Sequence, residues 1–162
     1  MKIRNHRNTI IFLLILIIIF PILFYARDLS SSSFLKHKTY VSNSLNFTIN
    51  IPSNFEVNDT GITLALKNNQ GEISIIRNGT QHKDLNSYLS DQDLDSSYSV
   101  TSVTKMKING LNTIARIEST GDKALSLYYI YVLNAVYIIS SSDTELYDDL
   151  GEIAKSFKYT GK

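Results

Sequence analysis

The stretch L-S-L-Y-Y-I-Y-V-L, Leu125 to Leu133, decides the fold, together with V-Y-I-I-S, Val136 to Ser140, which follows it across a turn at Asn134-Ala135. Leu125, Leu127, Tyr129 and Tyr131 fall on one side of a period-two strand, and Tyr128, Ile130 and Val132 fall on the other. Strands that are apolar on both faces must be covered on both faces, so this pair belongs in the middle of a sheet.

Upstream, L-N-T-I-A-R-I-E (Leu111 to Glu118) is joined to S-Y-S-V-T-S-V-T-K-M-K-I (Ser97 to Ile108) through Asn109-Gly110. That dipeptide is a strong hairpin signal, because both central positions of the tight turn need positive φ. Val103 is separated by odd steps from Met106 and Ile108, a mismatch that predicts a bulge near Thr104. Downstream, Ser142 and Glu145 have the spacing of a capping box, and Leu146, Leu150, Ile153 and Phe157 form one helical stripe for packing on the sheet. Asp143 and Glu145 stand at the positive end of the helix dipole, with Lys155 and Lys158 at the negative end. Gly151 in the middle weakens this helix and points to a close contact with a strand.

The earlier part reads as two hairpins. Leu45, Phe47, Ile49 and Ile51 alternate with polar residues up to Pro52, and T-Y-V-S-N-S-L before them supplies a partner strand through a turn at Ser42 to Ser44. Gly61 opens a strand with Ile62, Leu64 and Leu66 on one face, and after the turn at Asn68 to Gly71 the chain returns with Ile73 and Ile75 inside. Asp84 then caps a helix with a stripe of Leu85, Tyr88 and Leu89, ending within S-D-Q-D-L-D-S-S. The result is an α+β fold: an antiparallel sheet of about six to eight strands flanked by helices and preceded by one N-terminal transmembrane helix.

That last element is T-I-I-F-L-L-I-L-I-I-I-F-P-I-L-F-Y-A, Thr9 to Ala26, which carries no charge. At about 1.5 Å per residue it reaches roughly 27 Å, close to a hydrocarbon core, and its apolar residues favour insertion by roughly 4 to 8 kcal/mol. Pro21 kinks the helix without abolishing the span. Lys2, Arg4 and Arg7 precede the run without an acid among them, whereas Asp28 follows Arg27 on the far side. The positive-inside rule then puts residues 1–8 in the cytoplasm, 9–26 in the bilayer as a signal-anchor, 27–38 outside as a Ser-rich tether and 39–160 outside as a folded domain. A cleaved secretory signal is the alternative and leaves the domain secreted, but the run is long and Phe24 occupies the place of a small residue before the nearest cleavage site.

A formal charge of +1 offers no case for nucleic acid, and the absence of cysteine removes disulfides, thiolate chemistry and cysteine metal sites. The exported domain is held by packing alone.

The order of these elements resembles the PsbP-like superfamily, which includes the extrinsic photosystem II protein and the Ran-binding Mog proteins. The residues that carry the resemblance are the F-T-I-N-I-P-S-N-F-E-V segment, the I-N-G-L-N-T-I-A-R-I-E hairpin, the Y-Y-I-Y-V strand and the closing helix with D-D-L-G-E-I-A-K-S-F, within Tyr40 to Tyr159. The resemblance implies an α/β/α sandwich around an antiparallel sheet and no enzyme activity; the metal-binding histidines of its photosystem branch find no counterpart in this sequence, so no metal ligand is carried over and no cofactor is expected. Family members are mostly binding or assembly proteins, so it also implies an envelope protein partner.

Site signals are few. Asp91, Asp93 and Asp95 begin like a calcium loop, with acids at positions 1, 3 and 5, but Ser96 stands where glycine is needed and Ser102 where a bidentate glutamate is needed. An exposed acidic loop is the plainer reading. Tyr128, Tyr129, Tyr131 and Tyr137 are candidates to line a ligand or partner groove, since phenols combine apolar area with a polar tip; their plainer reading is core edges with satisfied hydroxyls. His82 and His37 read as solvated residues, and no serine lies in a G-x-S-x-G or S-x-x-K setting. A solute- or cation-binding receptor, and an enzyme with a site that spacing does not reveal, remain as the other classes.

Overall fold

A computed structural model describes residues 36–94 and 97–161. The expected span at 9–26, the tether up to Leu35 and Asp95 lie outside the described residues. Among the described residues no helix is long and apolar enough to cross a membrane.

The strands are β1 (His37–Ser42), β2 (Phe47–Pro52), β3 (Glu56–Asp59), β4 (Thr63–Asn68), β5 (Gly71–Gly79), β6 (Ser99–Ile108), β7 (Leu111–Thr120), β8 (Lys123–Val132), β9 (Ala135–Ser141) and β10 (Lys158–Tyr159). The helices are α1 (Leu85–Leu94) and α2 (Tyr147–Ser156), the second entered through a 3-10 turn at Thr144–Leu146. Seven strands form one antiparallel sheet in the order β3-β4-β5-β9-β8-β7-β6, so β9 is its centre and β8 its neighbour. β1, β2 and β10 form a separate three-stranded sheet, which corrects the single-sheet expectation.

Both faces of the large sheet are covered, as its two apolar central strands require. On one face Leu64, Leu66, Ile73, Ile75, Ile130, Tyr137 and Ile139 bury against Phe47, Ile49 and Ile51 of β2 and against the stripe Leu146, Leu150, Ile153 and Phe157. On the other, Ile114, Leu127, Tyr129 and Val136 bury against Leu85, Tyr88 and Leu89 of α1. The architecture is α+β, with one outer layer made of a helix and a small sheet together and the other of α1.

Local chemistry sets several junctions. Asn109 and Gly110 take φ values of 49° and 85°, as their hairpin demands, and the Asn109 amide also donates to the Phe157 carbonyl at 2.7 Å, closing the end of α2. The Asp84 carboxylate accepts from the Ser87 backbone N–H at 2.9 Å and so caps α1. At Gly151 a Cβ would stand 3.2 Å from the Tyr128 hydroxyl, which is the close strand contact its position implied.

Other details differ from the sequence reading. The β8–β9 turn is Leu133-Asn134, one residue earlier than expected, with Leu133 held at φ 53° and Ala135 already paired to Val132. Ile62 is exposed ahead of β4 and does not join the face of Leu64 and Leu66. The register shift in β6 lies between Val100 and Ser102, so Val103 and Met106 stand on opposite faces of a regular segment. Ser142 and Glu145 form no capping box: the 3-10 turn starts after Asp143, whose carboxylate accepts from the Glu72 backbone N–H at 2.9 Å across to β5. That tertiary bond holds the entry residue and replaces the local cap.

Tyr137 locks the two sheets together. Its hydroxyl donates to the Leu45 carbonyl at 2.6 Å, and its ring packs between Phe47 and Phe157 with centroid separations of 5.9 and 5.0 Å. Tyr137→Phe keeps the packing and leaves that carbonyl without its phenol donor, so the unfolding free energy should fall by about 1–2 kcal/mol, read as a lower urea midpoint at unchanged slope. An unchanged midpoint would contradict this locking role.

Candidate functional site

β7 carries Ile114, Arg116 and Glu118 on the face that receives α1, an unusual place for two charges. The Arg116 side chain is 3% exposed and that of Glu118 is 8% exposed. Burying them is tolerable only because each has partners. The Arg116 guanidinium donates to both Asp93 oxygens, at 2.7 Å from Nη2 and 3.4 Å from Nη1, and its Nε lies 3.2 Å from Glu118 Oε1. The Nε contact is ionic in character, since the N–H is not aimed at the oxygen and makes no hydrogen bond. Tyr129 donates to Glu118 at 2.8 Å and Tyr98 donates to Asp93 at 3.0 Å. The rings of Tyr98 and Tyr129 also flank the guanidinium, each with its centroid 5.7 Å from Cζ.

The protonation states follow. The hydrogen bond from Arg116 holds the Asp93 carboxyl below its ordinary value, against the opposing pull of burial. Burial, followed by the bond to Glu118, pushes the Tyr129 phenol far above its ordinary value. Burial works against the charge of Arg116, but Asp93 and Glu118 more than offset it and the guanidinium stays ionised.

This network forms one wall of a cleft of about 270 Å³ between α1 and the β6–β7 hairpin. Its lining combines apolar Leu89, Val103 and Ile114 with the polar groups of Asn86, Lys105 and Arg116. Lys105 reaches across to donate to the Asn86 side-chain oxygen at 2.9 Å. Of the lining residues, Val100 and Val103 are 39% and 55% exposed. A second cleft, about 310 Å³, is lined by Asn54, Glu56, Lys67, Asn68 and Asn69 and has no apolar floor.

The expected site residues are distributed differently from the expectation. Tyr128 and Tyr137 belong to the face covered by α2 and the small sheet, and Tyr129 and Tyr131 to the face covered by α1, so the four do not line one groove. The reason is the period of two along β8. Tyr131 donates to the His82 carbonyl at 2.8 Å and pins the segment entering α1, while Tyr129 supports the charge network. Asp91 and Asp93 lie in the last turn of α1 and not in a loop; two residues apart on a helix they diverge, one to His82 Nε2 at 3.1 Å and the other to Arg116. Among the described residues no group of carboxylates and histidines is placed to hold a metal ion. Arg116 and Glu118, which organise the cleft, carried a legible signal: two charges at i and i+2 beside Ile114 in a strand paired to β8.

No protein-family model and no curated protein matches this chain. Among solved structures it is similar to cyanobacterial PsbP (CyanoP) from Synechocystis sp. PCC 6803, with a TM-score of 0.54 at 9% identity, covering 80% of this chain and 95% of that one. It is also similar to a protein from Bacteroides thetaiotaomicron, with a TM-score of 0.51 at 14% identity over 77% of this chain and 49% of that one. The described residues therefore form an α+β fold of antiparallel sheets with two short helices. More particularly, that fold is PsbP-like.

Arg116→Met strands Glu118 in a buried site and should cost about 3–5 kcal/mol in chemical denaturation, whereas Arg116→Met combined with Glu118→Leu should recover part of that loss. A loss below 1 kcal/mol for the single variant would contradict the network. The pH dependence has a definite sign: because the folded Asp93 pKa is depressed below 3.8, its contribution is complete above that value and is lost as pH falls through the folded pKa. Asp93→Asn should flatten the acid limb of the stability curve, and an unchanged limb would argue against it.

Proposed function

We propose that this chain is a membrane-anchored extracytoplasmic binding or assembly module without catalytic activity, held to the bilayer through Thr9–Ala26 and engaging an envelope protein partner. The observation that carries the reading is the cleft beside β6: a fixed charged wall next to valines left open to solvent. Its ionisable groups are committed to one another, which makes a rigid surface suited to being covered. The PsbP-like fold supports the same reading through the binding and assembly roles common in that superfamily. The uncharged apolar run, with Lys2, Arg4 and Arg7 unopposed by an acid on its N-terminal flank and Arg27 offset at once by Asp28 on the other, supports the anchor and its orientation. A net charge of +1 gives no support to a nucleic-acid partner.

Two measurements test this. Protease added to spheroplasts should digest the chain beyond residue 36 while a cytoplasmic control survives; protection until lysis would overturn the topology. A photoreactive amino acid placed at Val103 in intact cells should give a discrete crosslinked species, and one at exposed Glu145 should not. Failure to crosslink at Val103 would count against the cleft as the binding surface.

A further inference from the structure

We propose that the free edge of β6, from Val103 to Lys107, accepts an extended, acid-bearing segment of a partner protein as an added strand. This rests on the binding-module reading and gives it a surface and a partner chemistry. β6 ends the seven-stranded sheet, with β7 on one side and no strand on the other among the described residues. Because Ile108 and Leu111 flank a two-residue turn, they form a hydrogen-bonded pair, as do Met106 with Thr113 and Thr104 with Ala115. The backbone groups of Val103, Lys105 and Lys107 therefore point away from β7 along an open edge. The register shift between Val100 and Ser102 leaves Ser102 to Ile108 in regular pairing, and the outward-facing groups fall within its five residues from Val103 to Lys107, roughly 17 Å of strand.

The opposite end of the sheet does not offer the same template. β3 is only four residues long, and its last residue is clipped to the small sheet: the Asp59 carboxylate accepts from Ser42 at 2.8 Å and from Tyr40 at 3.0 Å.

Charge selects the occupant. Val103, Lys105 and Lys107 present side chains to the cleft side, an exposed aliphatic residue followed by two exposed cations. An antiparallel second copy in full overlap would set Lys105 against Lys105, a like-charge pair that disfavours self-association. A strand carrying carboxylates opposite the lysines and a β-branched residue opposite Val103 satisfies both the edge and its side chains.

The test uses the full-length chain in lipid nanodiscs, amide hydrogen exchange and two synthetic probes, the peptides T-E-V-E-V-T and T-K-V-K-V-T. The acidic peptide should slow exchange at Val103, Lys105 and Lys107 by about tenfold or more, and the basic peptide should not. Lys105→Pro, which removes one outward donor without touching the β6–β7 ladder, should abolish the protection. Lys107→Glu, a surface change that leaves the fold alone, should weaken binding roughly tenfold. Equal protection by both peptides, or none at millimolar acidic peptide, overturns the proposal. Concentration-dependent protection without peptide also overturns it, in favour of a second copy. If a Val103 crosslink in cells survives Lys105→Pro, strand addition is wrong while the binding-module reading stands.

Discussion

The structure depends on one constraint: β8 and β9 are apolar on both faces and need two covers. One cover is generous, made of α2 and the β1-β2-β10 sheet, with Tyr137, Phe47 and Phe157 interlocked at its centre. The other is a single helix of ten residues, about 15 Å long, which is at most about three strand spacings. Its principal contacts are with β7 and β8. The hairpin strand beyond them is consequently left with exposed valines and an open edge, and the cleft is the geometric result of a helix shorter than the sheet is wide.

The charges on β7 follow from the same shortfall. Near the margin of α1 water is close enough for Asp93 to remain partly exposed, yet Arg116 and Glu118 are buried, so every charge there must find a counter-charge or a phenol. Tyr98, Tyr129 and Asp93 supply them. A network satisfied in this way contributes geometric definition more than stability, because desolvating the ions consumes much of what their attraction returns. It fixes the end of α1 over β7 and so fixes the shape of the cleft.

Much of this was legible in the residues. The double-faced pattern of Leu125 to Val132 placed β8 beside the sheet centre, and Asn109-Gly110, Asp84 and the Leu146–Phe157 stripe marked a turn, a cap and a buried helix face that the structure contains. What sequence could not supply was tertiary. Lys158 and Tyr159 are too short a segment to be read as a strand, yet they complete a second sheet by pairing with β2. Glu56 to Asp59 lacks a strand pattern and is held by β4 and by the Asp59 clip. Ser142 and Glu145 had capping spacing, but a long-range bond from Glu72 to Asp143 took the place of the cap. For the site, the period of two already separates Tyr128 from Tyr129, so the expected aromatic groove failed on local geometry. The pairing of Arg116 with Asp93, 23 residues away, needed the fold.

Cover is complete over β8 and β9 and incomplete at β6. Native-state hydrogen exchange on the chain without any added ligand measures this directly, since buried and open amides differ in the size of the opening they require. Amides of Ile130, Tyr137 and Ile139 should exchange only through global unfolding, while those of Val103, Lys105 and Lys107 should exchange without any opening. Protection at those three positions equal to that of the central strands would contradict it.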